Sequence, residues 1–402
     1  MTKWLFWGKI DNMKKGIIKK IICGLAICST GVAALGLINC SVLDQDLVGN
    51  KKYQTQVMQE LDADMQIMQD YSYLNGLDAS KLVKLRPNDS KKMYINIDES
   101  IQGRERENIK STINDFNAVF KNINDSYNFV ICENKDESIG NTAINFKYTT
   151  LPESVYGLTE TAVNKLNYFN FNTPKENCYI IGATIFLDYN IFPQLADVTQ
   201  LQILKHEILH TLGFADLYTG YDDETSLMNV GIMGVSTKFS PNDLKMLYVA
   251  YGNKHINSDG SFNQEKMNEV KAKIDAYEQN YYKYLIDIVK DNTKYSFEDL
   301  NNKDLNDLSF TKNNANITIK NGEYEYTFNG TTKKGKLVIG EDYAIIPDIK
   351  RANRYNKGSL YNDFLIIAKR KGKITCYDID IYHSLTGEQI DQASLGIDIH
   401  MN

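Results

Sequence analysis

His206-Glu207-Ile208-Leu209-His210-Thr211-Leu212-Gly213-Phe214-Ala215-Asp216 is the stretch from which the rest of the chain is best read. His206 and His210 stand four residues apart, so on a helix both project from one face, roughly opposite Ile208. Two imidazoles at that spacing can grip one Zn²⁺ at about 2.0–2.1 Å each. Glu207 lies one residue around from His206 and can sit beside the metal without binding it, where it can hold a water. Gly213 is a helix stop, because the residue there often takes φ > 0. The chain can then double back and bring Asp216 to a third coordination position. A fourth position left open for water separates catalytic from structural zinc. Upstream, Asp197 and Gln200 have the spacing of a capping box, and Val198, Leu201, Leu204, Ile208 and Leu212 form a candidate buried stripe.

The surrounding sequence predicts an α/β (α+β) layout with a mixed sheet. Lys92–Ile97 alternates as a strand, and residues 103–122 read as a helix with Ile109, Ile113, Phe116 and Phe120 on one face. Phe129–Cys132, Ala143–Phe146 and Tyr179–Leu187 read as further strands. After Gly252 the composition changes. Residues 262–292 carry Met267, Val270, Ile274, Tyr277, Tyr281 and Leu285 at helical steps, and strand signals then dominate to the end, with Asn321-Gly322 and Asn329-Gly330 as hairpin turns. The expected organisation is 1–43 a signal peptide or anchor, 44–90 a helical spacer or pro-segment, 91–255 a catalytic domain, 256–300 a helical linker and 301–402 a small antiparallel β domain. Within 44–90, Val57, Leu61, Met65 and Met68 suit an amphipathic helix.

Composition narrows the function classes. The 402 residues hold 45 basic and 51 acidic side chains, a net charge of −6, with 43% hydrophobic and 24% charged residues. That excludes a disordered polymer, a fibre and a multi-span membrane protein, and gives no basic surface for nucleic acid. Lysines crowd residues 1–20, and no charged residue occurs from Ile21 to Leu43. A basic head before an apolar stretch reads as an export signal or membrane anchor. Leu37-Ile38-Asn39-Cys40 resembles a bacterial lipoprotein box, with Cys40 as the lipidation candidate and Asn39 where a smaller residue is usual. Export leaves Cys132, Cys178 and Cys376, enough for one disulfide at most. His255, His383 and His400 lack ligand spacing and read as structural or solvated.

The segment 206–216 resembles the metzincin zinc-peptidase signature HExxHxxGxx(H/D), in the variant with Asp as third ligand. Residues 239–248, Phe-Ser-Pro-Asn-Asp-Leu-Lys-Met-Leu-Tyr, are similar to the matrixin ending in which an LSxxD turn opens the last helix, and HTLGFADLY with VGIMG is similar to the immune-inhibitor-A type of secreted peptidase. The resemblance covers about residues 90–252. It implies a zincin-like domain with a twisted mixed sheet and an active-site helix, zinc held by His206, His210 and Asp216, Glu207 as general base, and a methionine turn at Met233 or Met228. The expected function is that of an exported zinc endopeptidase acting on protein or peptide, secreted or surface-anchored, with membrane association through the N-terminal segment. The alternative is a catalytically silent binding or adhesion module on the same scaffold.

Overall fold

A computed structural model of the chain describes residues 52–63, 84–87, 90–133, 135–139, 141–163, 179–217, 221–223, 226–228, 237–293, 296–312, 315–328, 330–352 and 360–377. Cys40, Met65, Met68, Cys178, Met233, His383 and His400 lie outside the described residues, as does the segment 1–43 read as an address. Among the described residues no helix is long and apolar enough to cross a membrane.

The described residues form a mixed α/β structure with one mixed sheet and two further sheets. The first sheet contains β1 (Lys92–Ile97), β2 (Asn128–Ile131), β3 (Ala143–Thr149), β4 (Gly157–Val163) and β5 (Ile180–Asp188), in the order β2-β1-β3-β5-β4. Neighbours are parallel except β4, which runs antiparallel to β5 from the sheet's edge. Helix α1 (Gly103–Ile123) crosses between β1 and β2 and buries Ile109, Ile113, Phe116 and Phe120, the face its periodicity predicts. Phe116 and Phe120 lie 6.0 and 5.6 Å from Phe129 of β2, ring to ring. Burying each such ring stabilises the fold by about 1.5–3 kcal/mol. Residues 52–61 and Leu85 join the same core through Val57, Met58, Leu61 and Leu85, and Arg86 N–H bonds the carbonyl of Ile180. The described part of the segment read as a spacer or pro-segment is therefore packed into this core.

Helix α2 (Asp197–Thr211) packs against β4, β5 and α1. The expected capping box is absent: Asp197 is already helical, the N-cap is Ala196, and Asp197 pairs with Arg104 at 3.5 Å. Val198 is 41% exposed, so it leaves the predicted stripe; Leu204, Ile208 and Leu212 are fully buried. The burial extends around the helix to Gln200, Lys205 and Glu207 because the β-sheet, α1, Leu227 and Thr237 lie around it. Helix α3 (Pro241–Tyr251) starts at the LSxxD-like turn, and there a capping box does form: Ser240 Oγ accepts from Asp243 N–H, and the Asp243 carboxylate accepts from Ser240 N–H.

The long helix α4 (Gln264–Thr293) belongs to two cores. Met267, Val270 and Ile274 join the first, and Tyr281, Tyr282, Leu285 and Ile286 meet the C-terminal strands. Those strands make an antiparallel sheet of β7 (Leu308–Lys312), β8 (Ala315–Lys320), β9 (Glu323–Phe328) and β10 (Thr331–Lys336), and a second of β11 (Val338–Ile339), β12 (Tyr343–Ala352), β13 (Leu360–Arg370) and β14 (Lys373–Tyr377). Asn321 and Gly322 join β8 to β9 with φ of 53° and 79°, as a type I′ hairpin turn requires. Phe364–Ala368 of β13 is apolar without alternation because both faces are covered: Leu365 and Ile367 face the β7–β10 sheet, Phe364, Ile366 and Ala368 face α4. One short strand from elsewhere, β6 (Tyr221–Asp223), lies parallel to Leu360–Asn362 of β13.

Candidate metal centre

The end of α2 is shaped by a Schellman motif. Gly213 takes φ of 90°, its N–H bonds the carbonyl of His210 at 2.9 Å, and Phe214 N–H bonds that of Leu209 at 3.2 Å. Glycine is required by that φ, and the reversal is what the sequence predicts. Phe214 is then buried against Tyr251, whose hydroxyl also donates to the carbonyl of Leu212 at 2.6 Å. The chain returns along the helix end and delivers Asp216.

His206 Nε2, His210 Nε2 and Asp216 Oδ1 form a triangle with sides of 3.0, 3.1 and 3.1 Å. Ligands about 2.0 Å from a tetrahedral zinc stand about 3.3 Å from one another, so the triangle is close to the required size. The tautomers are set by backbone. His206 Nδ1 lies 2.8 Å from the carbonyl of Leu227, and His210 Nδ1 lies 2.7 Å from the carbonyl of Phe214. A carbonyl only accepts, so each Nδ1 carries the proton and each Nε2 directs a lone pair at the same point. Two lone pairs and a carboxylate oxygen in that space need a shared positive centre, either a proton or a cation. Protonation is the response of the side chains alone. Burial opposes it at His206, but the carboxylates of Asp216 and Glu207 outweigh burial and push that imidazole up to about 9. Burial also works to raise Asp216, yet the two histidines hold it well below the usual carboxylate range. The donor set of two imidazoles and one carboxylate matches catalytic zinc sites.

Glu207 is buried beside this triangle and makes no side of it. Thr159 Oγ1 of β4 donates to Glu207 Oε2 at 2.7 Å and lies 3.0 Å from the Glu207 carbonyl. The triangle and Glu207 line a cleft of about 450 Å³, together with Ser154 to Thr159, Gln202, Ile203 and Leu227.

The turn that follows supplies the outer support. Asp243, buried at the start of α3, accepts from Ser226 Oγ at 2.6 Å and from Leu227 N–H at 3.0 Å. Ser226 Oγ in turn accepts from Met228 N–H at 3.1 Å. The peptide between Leu227 and Met228 is thereby held at both ends, with its carbonyl on His206 and its N–H on Ser226. Burial raises Asp243 above the ordinary carboxylate range despite these donors. Of the two methionines expected as candidates for the turn, Met228 is fully buried, and its carbonyl accepts from Leu217 N–H at 2.8 Å. Lys205, next to His206, is tied to Asp115 at 2.6 Å and to the carbonyl of Thr237.

The structure thus gathers four sequence-predicted residues, His206, Glu207, His210 and Asp216, in one place. It places His255 elsewhere, buried with Nδ1 2.8 Å from the hydroxyl of Tyr248. Tyr248 and Tyr251 are both fully buried packing residues. Cys132 and Cys376 are buried thiols with no disulfide between them. Sequence reasoning missed Thr159, since Gly157–Val163 is polar and short on apolar alternation. Ser226 had no signal of its own, but the Ser240–Asp243 spacing is a capping-box pattern that marks Asp243. Compared with protein-family models and with curated proteins, the chain matches none.

Proposed function

We propose that this protein is a zinc-dependent endopeptidase of the metzincin type, with a zincin-like catalytic domain. The observation that carries this reading is the convergence of His206 Nε2, His210 Nε2 and Asp216 Oδ1, with Glu207 alongside but outside the ligand set. His206, His210 and Asp216 would hold the ion. When bound, zinc supplies Lewis acidity toward a water and toward the scissile carbonyl. Glu207 takes the proton of the attacking water and delivers it to the leaving amine as the C–N bond breaks. Leu227 and Phe214 keep both imidazoles in the tautomer that leaves Nε2 unprotonated.

Protein or peptide as substrate is supported by β4. It is the sheet's last strand among the described residues, it lines the cleft with Gly157, Leu158 and Thr159, and its outer edge can add an extended peptide as one more strand. Leu158, Ile203 and Leu227 offer apolar contacts to side chains of that peptide. The lysine-rich residues 1–20 and the uncharged stretch to Leu43 support export, secreted or anchored through that segment or Cys40.

The test pairs metal analysis with digestion of casein and of a peptide library, using Glu207→Ala as control. The wild type is expected to hold one zinc and to cleave. Glu207→Ala should keep the zinc and lose about 10²–10⁴-fold in rate. Cleavage that survives in Glu207→Ala, or bound zinc with no cleavage of any library member, would overturn the proposal.

A further inference from the structure

Two residues of the edge strand β4 reach Glu207. Thr159 Oγ1 is 2.7 Å from Glu207 Oε2 and 3.0 Å from the Glu207 carbonyl, so one hydroxyl engages both ends of the same residue. Thr159 is β-branched and stiff at χ1, which makes it a firm anchor. Gly157, two residues earlier and on the same face of the strand, has no side chain in the way. A Cβ built there would stand 2.7 Å from Glu207 Oε1, 2.9 Å from its Cγ and 3.0 Å from its Cδ. The backbone of Gly157 is not in the left-handed region, so alanine could adopt its conformation. The glycine is therefore a matter of room for the carboxylate.

We infer that Thr159 and Gly157 are positioning residues for Glu207: the threonine hydroxyl clamps one carboxylate oxygen to β4, and the bare glycine leaves the space in which the other lies. This rests on the reading of Glu207 as the base. A free glutamate side chain samples many rotamers, and catalysis by a proton acceptor depends on holding it within hydrogen-bond reach of the water. The strand proposed to take the substrate along its edge thus also fixes the group that acts on it.

The experiment uses the full zinc-loaded chain with Thr159→Val, Thr159→Ser, Gly157→Ala, Glu207→Ala and the double variant Thr159→Val/Glu207→Ala. Thr159→Val is expected to lower kcat about ten- to hundredfold, the worth of a hydrogen bond to a charged group, with KM within about twofold and zinc still one per chain. Thr159→Ser, which keeps the hydroxyl, should restore kcat to within about threefold, and Gly157→Ala should lower kcat in the same sense. In the Glu207→Ala background Thr159→Val should change the residual rate by less than about twofold, because both act through one group. A crystal structure of metal-free Thr159→Val gives a readout apart from activity: the Glu207 carboxylate should have left β4. If Glu207→Ala destroys activity while Thr159→Val and Gly157→Ala leave kcat unchanged, this inference fails and the peptidase reading stands. If kcat, KM and zinc content fall together and serine does not rescue, Thr159 is merely structural and the inference also fails. If Glu207→Ala cleaves like the wild type, both readings fall. Should Thr159→Val not fold, Gly157→Ala and Thr159→Ser decide the matter alone.

Discussion

Replacing Asp216 by alanine removes one corner of the ligand triangle and leaves both histidines and their carbonyl partners in place. The wild-type atoms already stand 3.0–3.1 Å apart, so little rearrangement opposes zinc entry. At free zinc about a thousandfold above Kd, binding adds about 4 kcal/mol to stability. With about 2–4 °C per kcal/mol for a unit of this size, Tm should rise by about 8–16 °C over the chelated protein. Outer-shell changes at metal sites weaken binding by about 10–100-fold, so losing a ligand outright costs at least about 100-fold. At the same zinc concentration the gain in Asp216→Ala then falls to about 1.4 kcal/mol or less, a Tm rise under about 6 °C. Differential scanning calorimetry of chelated and zinc-titrated protein, with metal stoichiometry by mass spectrometry, measures both numbers. An equal zinc-induced rise in wild type and Asp216→Ala would refute the assignment of Asp216 as a ligand.

Two further outcomes follow from the surroundings of the site. Ser226→Ala removes the donor to Asp243 and leaves Met228 N–H without its acceptor, so urea denaturation should show a loss of about 2 kcal/mol, and zinc should bind more weakly as the Leu227 carbonyl loosens from His206; unchanged stability would count against the link. His255 is buried and neutral, with burial pushing it down from 6.5 to about 4. The unfolded chain therefore binds the extra proton first: the His255 contribution to stability is complete above about pH 6.5 and falls by about 3 kcal/mol as the pH drops to about 4, a slope that His255→Phe should abolish in pH-dependent denaturation.

The clustering of the candidate site residues was legible because it is local. His206, Glu207, His210, Gly213 and Asp216 lie within one helix and its reversal, where spacing translates into geometry through the helical repeat and one positive φ. Helices α1 and α4 were legible for the same reason, since long apolar periodicity outweighs single residues. The Asp197 capping box failed because its carboxylate found Arg104 of α1, a partner 93 positions earlier that no local pattern reveals. Strand β4 was missed because a half-exposed edge strand carries threonine and glutamate where a core strand would carry valine and isoleucine. The supports of the site are invisible for a related reason. Leu227 and Phe214 act through carbonyls that any residue possesses, and Ser226 acts through a partner on another helix.

The pairing of Tyr221–Asp223 with Leu360–Asn362 has a consequence for biosynthesis. Ribosomes make the chain from its amino end, so His206, His210, Asp216 and Glu207 emerge some 140 residues before the strand that pairs with residues 221–223. A nascent polypeptide carries the His206, His210 and Asp216 cluster before the strand that pairs with residues 221–223 exists. Assembly order alone thus leaves residues 221–223 without their β13 partner strand until residues 360–362 have been made.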